Sequence, residues 1–315
     1  MRNLAGFWIS TVFYFCGVVV FSVSITTALS EYKEKKEEVA ATMNFEKRLF
    51  NAWEWVPGNS VGEEKVKEWG RLEMEARTFY RKAINFSLLL GILVAMYVIF
   101  NNLMYRKKES NYQVFGLVMI FCSISFLYLA IQSPFLEVMA YSKDLKFQIP
   151  IDVNFDEMDF IGGLGLGEFK YDYEQVIEGR TYYLYQNKSV LELIRLLYTG
   201  GNFLVAIIVV VVTILFPVYK FILSLLVLLR PYKKNSFKIY RSIKNLGKWS
   251  MLDVFTTAII LAHFAYTNMN EGVDTGSETL VGLYYFLVFV ALSINSSQYL
   301  KKAMLKAQPE SNYLL

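Results

Sequence analysis

The residue with the most chemistry to offer in this chain is a lysine set deep in an apolar stretch. Lys220 has eighteen residues of the stretch 202–229 before it and nine after it. Pro217 stands three residues earlier and Thr213 four before that. Proline removes a backbone donor and kinks a helix, which leaves a carbonyl free to bind a lysine, a hydroxyl or water. Such a spot can carry a proton or hold a lipid headgroup. Equally, Lys220 can snorkel to the nearer interface, since nine helical residues span about 13 Å. Asp253, near the start of the stretch 250–268, either caps a helix start through the dipole or pairs with Lys220. His263, the single histidine, reads as a proton relay or as a hydrogen-bonded packing residue. Trp249 has the reading of an interfacial aromatic anchor.

Other chemistry is sparse. No paired carboxylates or nucleophile–base set falls within an apolar stretch, so an enzyme is not expected. Cys16 and Cys122 sit in apolar runs as small hydrophobes, and no CxxC pair offers a thiolate zinc ribbon, so no metal site is expected. There is no Gly-rich phosphate loop, and no cofactor is expected. The net charge of +4 comes without a dense basic stripe, which argues against nucleic acid as a partner.

These residues must be positioned by elements that the composition makes plain. Charged residues form 19% of the chain and hydrophobic ones 55%, against about 25% charged in a soluble domain. Six stretches, 4–29, 83–105, 113–132, 202–229, 250–268 and 280–299, are nearly free of charge. Each is long enough to cross a hydrocarbon core, which needs roughly 20 apolar residues as helix. The expected fold is an all-α transmembrane bundle of six spans with a small β-rich extracytoplasmic insertion. Stretch 4–29 is far longer than the core of a signal peptide, which favours a retained anchor over a cleaved leader.

The connections sort by charge. Arg230, Lys233, Lys234, Lys238, Arg241, Lys244 and Lys248 follow one another with no acidic residue between them. Arg106, Lys107 and Lys108 follow the second span, and Lys301, Lys302 and Lys306 follow the last. Short basic loops stay cytoplasmic, which puts both termini in the cytoplasm. The acidic connection 269–279, with Glu271, Asp274 and Glu278, and the long segments 30–82 and 133–201 then face outward.

Segment 30–82 carries two helical patterns split by Pro57-Gly58-Asn59-Ser60. Val39, Met43, Glu46, Phe50 and Trp53 fall at helical steps on one leg, and Val66, Trp69, Ala76 and Phe79 on the other. The pattern predicts a helical hairpin that prolongs the first two spans, either as a solvated stalk or as a docking and sensing element. In 133–201, Phe147, Ile149, Ile151, Val153 and Phe155 alternate as in a strand, with Pro150 marking an edge. The dipeptide Glu178-Gly179 predicts a turn between strands 168–177 and 180–186. Ser189 and Glu192 form a capping box that opens a short amphipathic helix with Val190, Leu193, Ile194 and Leu197 on one face.

The run Trp249-Ser250-Met251-Leu252-Asp253-Val254-Phe255, entering a span from a basic loop, resembles the signature of the paraquat-inducible protein A family. The run Thr213-Ile214-Leu215-Phe216-Pro217-Val218-Tyr219-Lys220 is similar to that family's Ser/Thr-x-x-x-Pro-x-x-Lys span. The resemblance covers roughly 113–300. It divides the chain into a transmembrane hairpin, 1–106, and a four-span module, 107–315. The resemblance implies an inner-membrane protein of intermembrane lipid traffic, with membrane lipids as cargo and a mammalian-cell-entry domain tunnel protein as partner. Lys220, Thr213 and Asp253 would then form the polar core that couples lipid loading to an energy source. The chain departs from many members in lacking zinc ribbons and a second module. It also offers only His263 where many members carry a further lysine. The competing reading is a membrane sensor or scaffold that binds a partner through the outer helical hairpin.

Overall fold

The computed structural model describes residues 5–51, 61–108, 111–154, 168–229, 234–249 and 274–307. Five of its helices are long and apolar enough to cross a membrane. Helix α1 (Ala5–Thr42) and helix α3 (Val61–Tyr105) run antiparallel to each other, with the short α2 (Phe45–Leu49) after the first. Helix α1 has 38 residues and α3 has 45. At 1.5 Å per residue these are about 57 and 68 Å long, so both outrun a hydrocarbon core of about 30 Å. The prolonged hairpin is the outcome of continuing helical periodicity past the apolar runs.

Helix α4 (Asn111–Gln132) is the centre of the bundle. Its apolar window is 78% buried inside the protein, against 22–39% for the other four spans. Around it pack α1, α3, the broken helix 203–229 and the last helix. The broken helix consists of α6 (Phe203–Val210), a π-turn (Val211–Leu215) and α7 (Phe216–Leu229). A basic amphipathic helix, α8 (Lys234–Trp249), follows it, and α9 (Val281–Ala307) is the last helix. One continuous apolar core runs from Phe7 on α1 to Met304 on α9. The expected span 250–268 lies outside the described residues.

A three-stranded antiparallel sheet sits at the end of the bundle where α4 stops. Strands β1 (Pro134–Asn154) and β2 (Glu168–Ser189) pair along their whole length, and β3 (Asp274–Thr279) pairs with the other edge of β1 at 136–141. Two expectations are corrected here. Glu178-Gly179 is not a turn between two strands. It is a bulge in the single strand β2, where the register slips between Lys143 and Leu145 of β1. Gly179 adopts φ +87°, a conformation glycine takes without penalty, and its N–H donates to Asp144 Oδ1 at 2.8 Å. A bulge uses the same glycine as a turn but bends the ladder instead of reversing it. The second correction concerns 274–279, which is a strand rather than a plain acidic connection. Pro150 pairs with Asp172 in the outer part of β1, where among the described residues no third strand covers the second edge, in keeping with a residue that lacks an N–H.

Helix α5 (Val190–Thr199) carries the anticipated capping box. Ser189 Oγ accepts from the Glu192 N–H, and Glu192 Oε2 accepts from the Ser189 N–H. Leu193 is buried, while Leu191, Leu196 and Tyr198 face outward.

The helical hairpin folds onto the sheet. Val39, Ala40 and Met43 of the α1 leg and Trp69 and Leu72 of α3 form one apolar cluster with Met139 and Tyr182 of the sheet. The Tyr182 N–H donates to the Met43 carbonyl at 2.9 Å. Arg48, buried on α2, donates to the Arg180 carbonyl and to Thr181 Oγ1 and stacks over Trp69 at 5.1 Å. Phe50, expected on the apolar stripe of the hairpin, is instead 83% exposed, because α2 ends at Leu49 and the helical phase is lost there. Trp53 lies outside the described residues.

Candidate functional site

The broken helix explains its own break. Proline at 217 has no N–H to give to the carbonyl four residues back, that of Thr213, and its ring would crowd that group. The chain answers with a π-turn over Val211–Leu215, in which the Phe216 N–H reaches the Val211 carbonyl. Such one-turn π-bulges gather at functional sites. Thr213 lies within the turn and is half-buried, and Pro217 is buried just after it.

Lys220 follows on α7 and is 7% exposed. Its Nζ donates to Ser293 Oγ on α9 at 2.9 Å. The Ser293 carbonyl in turn accepts from Ser296 Oγ at 2.8 Å and from Ser297 Oγ at 3.0 Å. Ser224, one turn further along α7, is buried as well. Phe221 and Phe289 close the neighbouring space edge-to-face at 6.0 Å. The lysine therefore points inward to a polar knot between two spans and does not snorkel. Intramembrane ionisable groups that face a bundle interior mark paths for ions, protons or polar cargo by default.

Ser293 was not singled out from the sequence, although the run Ser293-Ile294-Asn295-Ser296-Ser297 inside a span is the signal that could have found it. Trp249 closes α8. Asp253 and His263, together with Ser250, Met251 and Phe255, lie outside the described residues.

A second polar set holds the first three spans together. Tyr105 Oη accepts from the Phe7 N–H at 3.0 Å, Thr11 Oγ1 and Tyr97 Oη share a hydrogen bond of 2.8 Å, and Tyr14 Oη donates to Ser125 Oγ at 3.1 Å. Asn101 donates to the Tyr97 carbonyl and meets Ser10. No charged side chain takes part in these bonds.

A third set lies at the sheet. Glu137 of β1 is 0% exposed. It accepts from Tyr32 Oη at 2.5 Å, and Lys36 Nζ stands 3.5 Å from its other oxygen. Burial, with Glu137 close by, pushes the Tyr185 hydroxyl above its ordinary range. This cluster ties α1 to β1 and was not anticipated, because the strand pattern in the sequence begins only at Phe147 and leaves Glu137 in a connection. Among the described residues, no group of three or more His, Cys, Asp or Glu could hold a metal ion.

Five candidate spans, a buried cation between two of them and a strand-capped bundle end define a multi-pass membrane protein. Residues 175–307, from the middle of β2 through α9, match the family model described as paraquat-inducible protein A. Over those residues the chain is similar to the paraquat-inducible protein A family, and both Lys220 and Ser293 fall within the match. Comparison with curated proteins and with solved structures gives no match.

Proposed function

We propose that this protein is the inner-membrane subunit of an intermembrane phospholipid transport system, and that it loads or unloads lipid for an extracytoplasmic partner. The single observation that carries the reading is the buried Lys220 ammonium on Ser293, one turn past a proline-broken π-turn, inside the family segment. A charge held there costs free energy, and such residues mark functional paths by default; the break offers a carbonyl and room for water or a polar headgroup. Lys220 and Thr213 act at the core, with Asp253 as the candidate acidic partner. Both termini and the basic helix α8 are cytoplasmic, and the sheet faces the outside, where a tunnel-forming mammalian-cell-entry domain protein would meet it. No catalytic step is part of this role.

The alternative, a sensor or scaffold using the helical hairpin, is less well supported. The apolar face of that hairpin is already spent on the sheet of the same chain. Two experiments test the proposal. Lys220→Ala should disturb the distribution of phospholipid between the two envelope membranes while the protein accumulates normally in the membrane. A normal distribution would remove the coupling role. A cysteine placed at residue 240 should be labelled only from the cytoplasm, and labelling only from outside would invert the topology.

A further inference from the structure

A cleft of about 430 Å³ opens where the α4–β1 corner meets α1 and the start of α5. Its size lies within the 300–1,000 Å³ usual for small-molecule sites. On α1 the apolar run ends at Leu29, and the charged residues Glu31 and Lys33 follow within a turn. All three line the cleft, so it straddles the boundary between hydrocarbon and water. Lys33 reaches across to Glu192 of α5 as a hydrogen-bonded ion pair. Ser133, at the end of α4, also lines it. That serine is 1% exposed, and among the described residues its Oγ has no hydrogen-bond partner. A buried hydroxyl without a partner costs free energy, and it marks a place for a ligand's polar atom.

The charges choose between ligands. A simple anion would meet Lys33 but also Glu31 and Glu192, and a simple cation would meet the reverse. A group carrying a phosphate and a primary ammonium a few bonds apart satisfies both, by taking over the two halves of the Lys33–Glu192 pair. A quaternary ammonium would lose the hydrogen bonds, and among the described residues no aromatic ring lines the cleft to compensate.

We propose that this cleft is a seat for the zwitterionic headgroup of an aminophospholipid. The phosphate sits on Lys33 and the Ser133 hydroxyl, the ammonium sits on Glu192 or Glu31, and the acyl chains remain in the adjoining bilayer. The proposal rests on the lipid-transport reading for its biological sense but not for its test. The seat is made jointly by the N-terminal hairpin and the start of the family segment, so the hairpin would contribute to lipid selection.

The test uses the full chain in nanodiscs and a phosphatidylethanolamine analogue with a photoreactive group near its phosphate. Crosslinks should map to 26–33, 132–134 or 189–192. Labelling should fall about tenfold in Lys33→Gln, as one lost charge-assisted hydrogen bond implies, and less in Ser133→Ala. Lys33→Arg keeps the cation and its pairing with Glu192 and should retain labelling, which separates loss of the site from loss of fold. Phosphatidylglycerol or phosphatidylcholine in excess should compete poorly. Equal competition by all three lipids, or labelling indifferent to Lys33→Gln, would overturn the proposal. So would displacement by inorganic phosphate or soluble phosphoethanolamine without any lipid crosslink, which would assign the cleft to a soluble phosphate compound. Lys220 does not line the cleft, so labelling should survive Lys220→Ala. The site and the transport reading can therefore fail separately.

Discussion

Among the described residues, two of the polar patches within the spans are built on different principles. The patch between α1, α3 and α4 is built of neutral groups: Thr11 with Tyr97, Tyr14 with Ser125, Asn101 with Ser10, Tyr105 with the Phe7 N–H. The patch between α7 and α9 places an ammonium on a serine whose carbonyl already accepts two further hydroxyls. Neutral pairs of this kind are worth about 0.6 kcal/mol each within a membrane, enough to set how helices meet. A buried cation is not needed for packing, since a well-packed apolar residue of similar volume serves as well or better. On the proposed reading, the first patch fastens helices and the second is retained for what it does.

The largest effect should come from Lys220. Lys220→Met keeps volume and removes charge, so it should abolish lipid redistribution between membranes without lowering thermal stability in detergent. If Lys220→Met unfolds the protein instead, the two patches serve the same purpose and the contrast fails. Gly282→Ala comes next. Its Cβ would stand 2.5 Å from the Pro134 carbonyl oxygen and 2.8 Å from that of Ser133, backbone atoms that cannot swing aside. Overpacking of this kind costs about 1–3 kcal/mol, and a lowered thermal midpoint should report it. Because α9 carries Ser293, transport should suffer as well. By contrast, Gly17→Ala would meet only the flexible end of Leu93 and should change little.

Ser293→Ala should reduce transport severalfold, and Ser293→Thr, which restores the hydroxyl, should recover most of it. An unchanged rate in Ser293→Ala would show that the serine merely fills space. Tyr97→Phe, on the neutral patch, should leave transport intact and cost about 0.6 kcal/mol in stability. The smallest effect concerns pH. Burial raises the Glu192 carboxyl, but the Lys33 ammonium and the Ser189 N–H outweigh it and hold the carboxyl below its ordinary value of 4.5. With the folded value depressed, the contribution of this pair is fully present above the ordinary value. It is lost as pH falls through the lower folded one. The thermal midpoints of the native protein and Glu192→Gln should therefore converge on acidification below about 4.5.

The contrast between the patches also bears on what could be read from the chain alone. Lys220 stood out because charge is so scarce in the spans, and Pro217 announced the break that became a π-turn. The capping box at Ser189 and the helical hairpin were visible for a similar reason, since both depend on contacts a few residues apart. Ser293 and Glu137 escaped because their meaning is tertiary. A serine in a span and a glutamate in a strand are ordinary until Lys220, Tyr32 and Lys36 arrive from elsewhere in the chain. Strand β3 was hidden more thoroughly. Asp274-Thr275-Gly276-Ser277-Glu278-Thr279 has no apolar alternation, and it is a strand because β1 presents an edge to it. Gly179 shows the limit of turn rules, for the same left-handed glycine serves a turn or a bulge depending on which strand lies opposite.

The pairing of β3 with β1 has a consequence for biogenesis. Leu136 and its partner Thr279 are separated by most of the matched segment, so that edge of β1 meets β3 only once the region before α9 has been made. Non-local pairings of this kind close late, and an open strand edge invites wrong partners in the meantime. The sheet thus reaches its full width only when β3 arrives, just ahead of α9 in the chain.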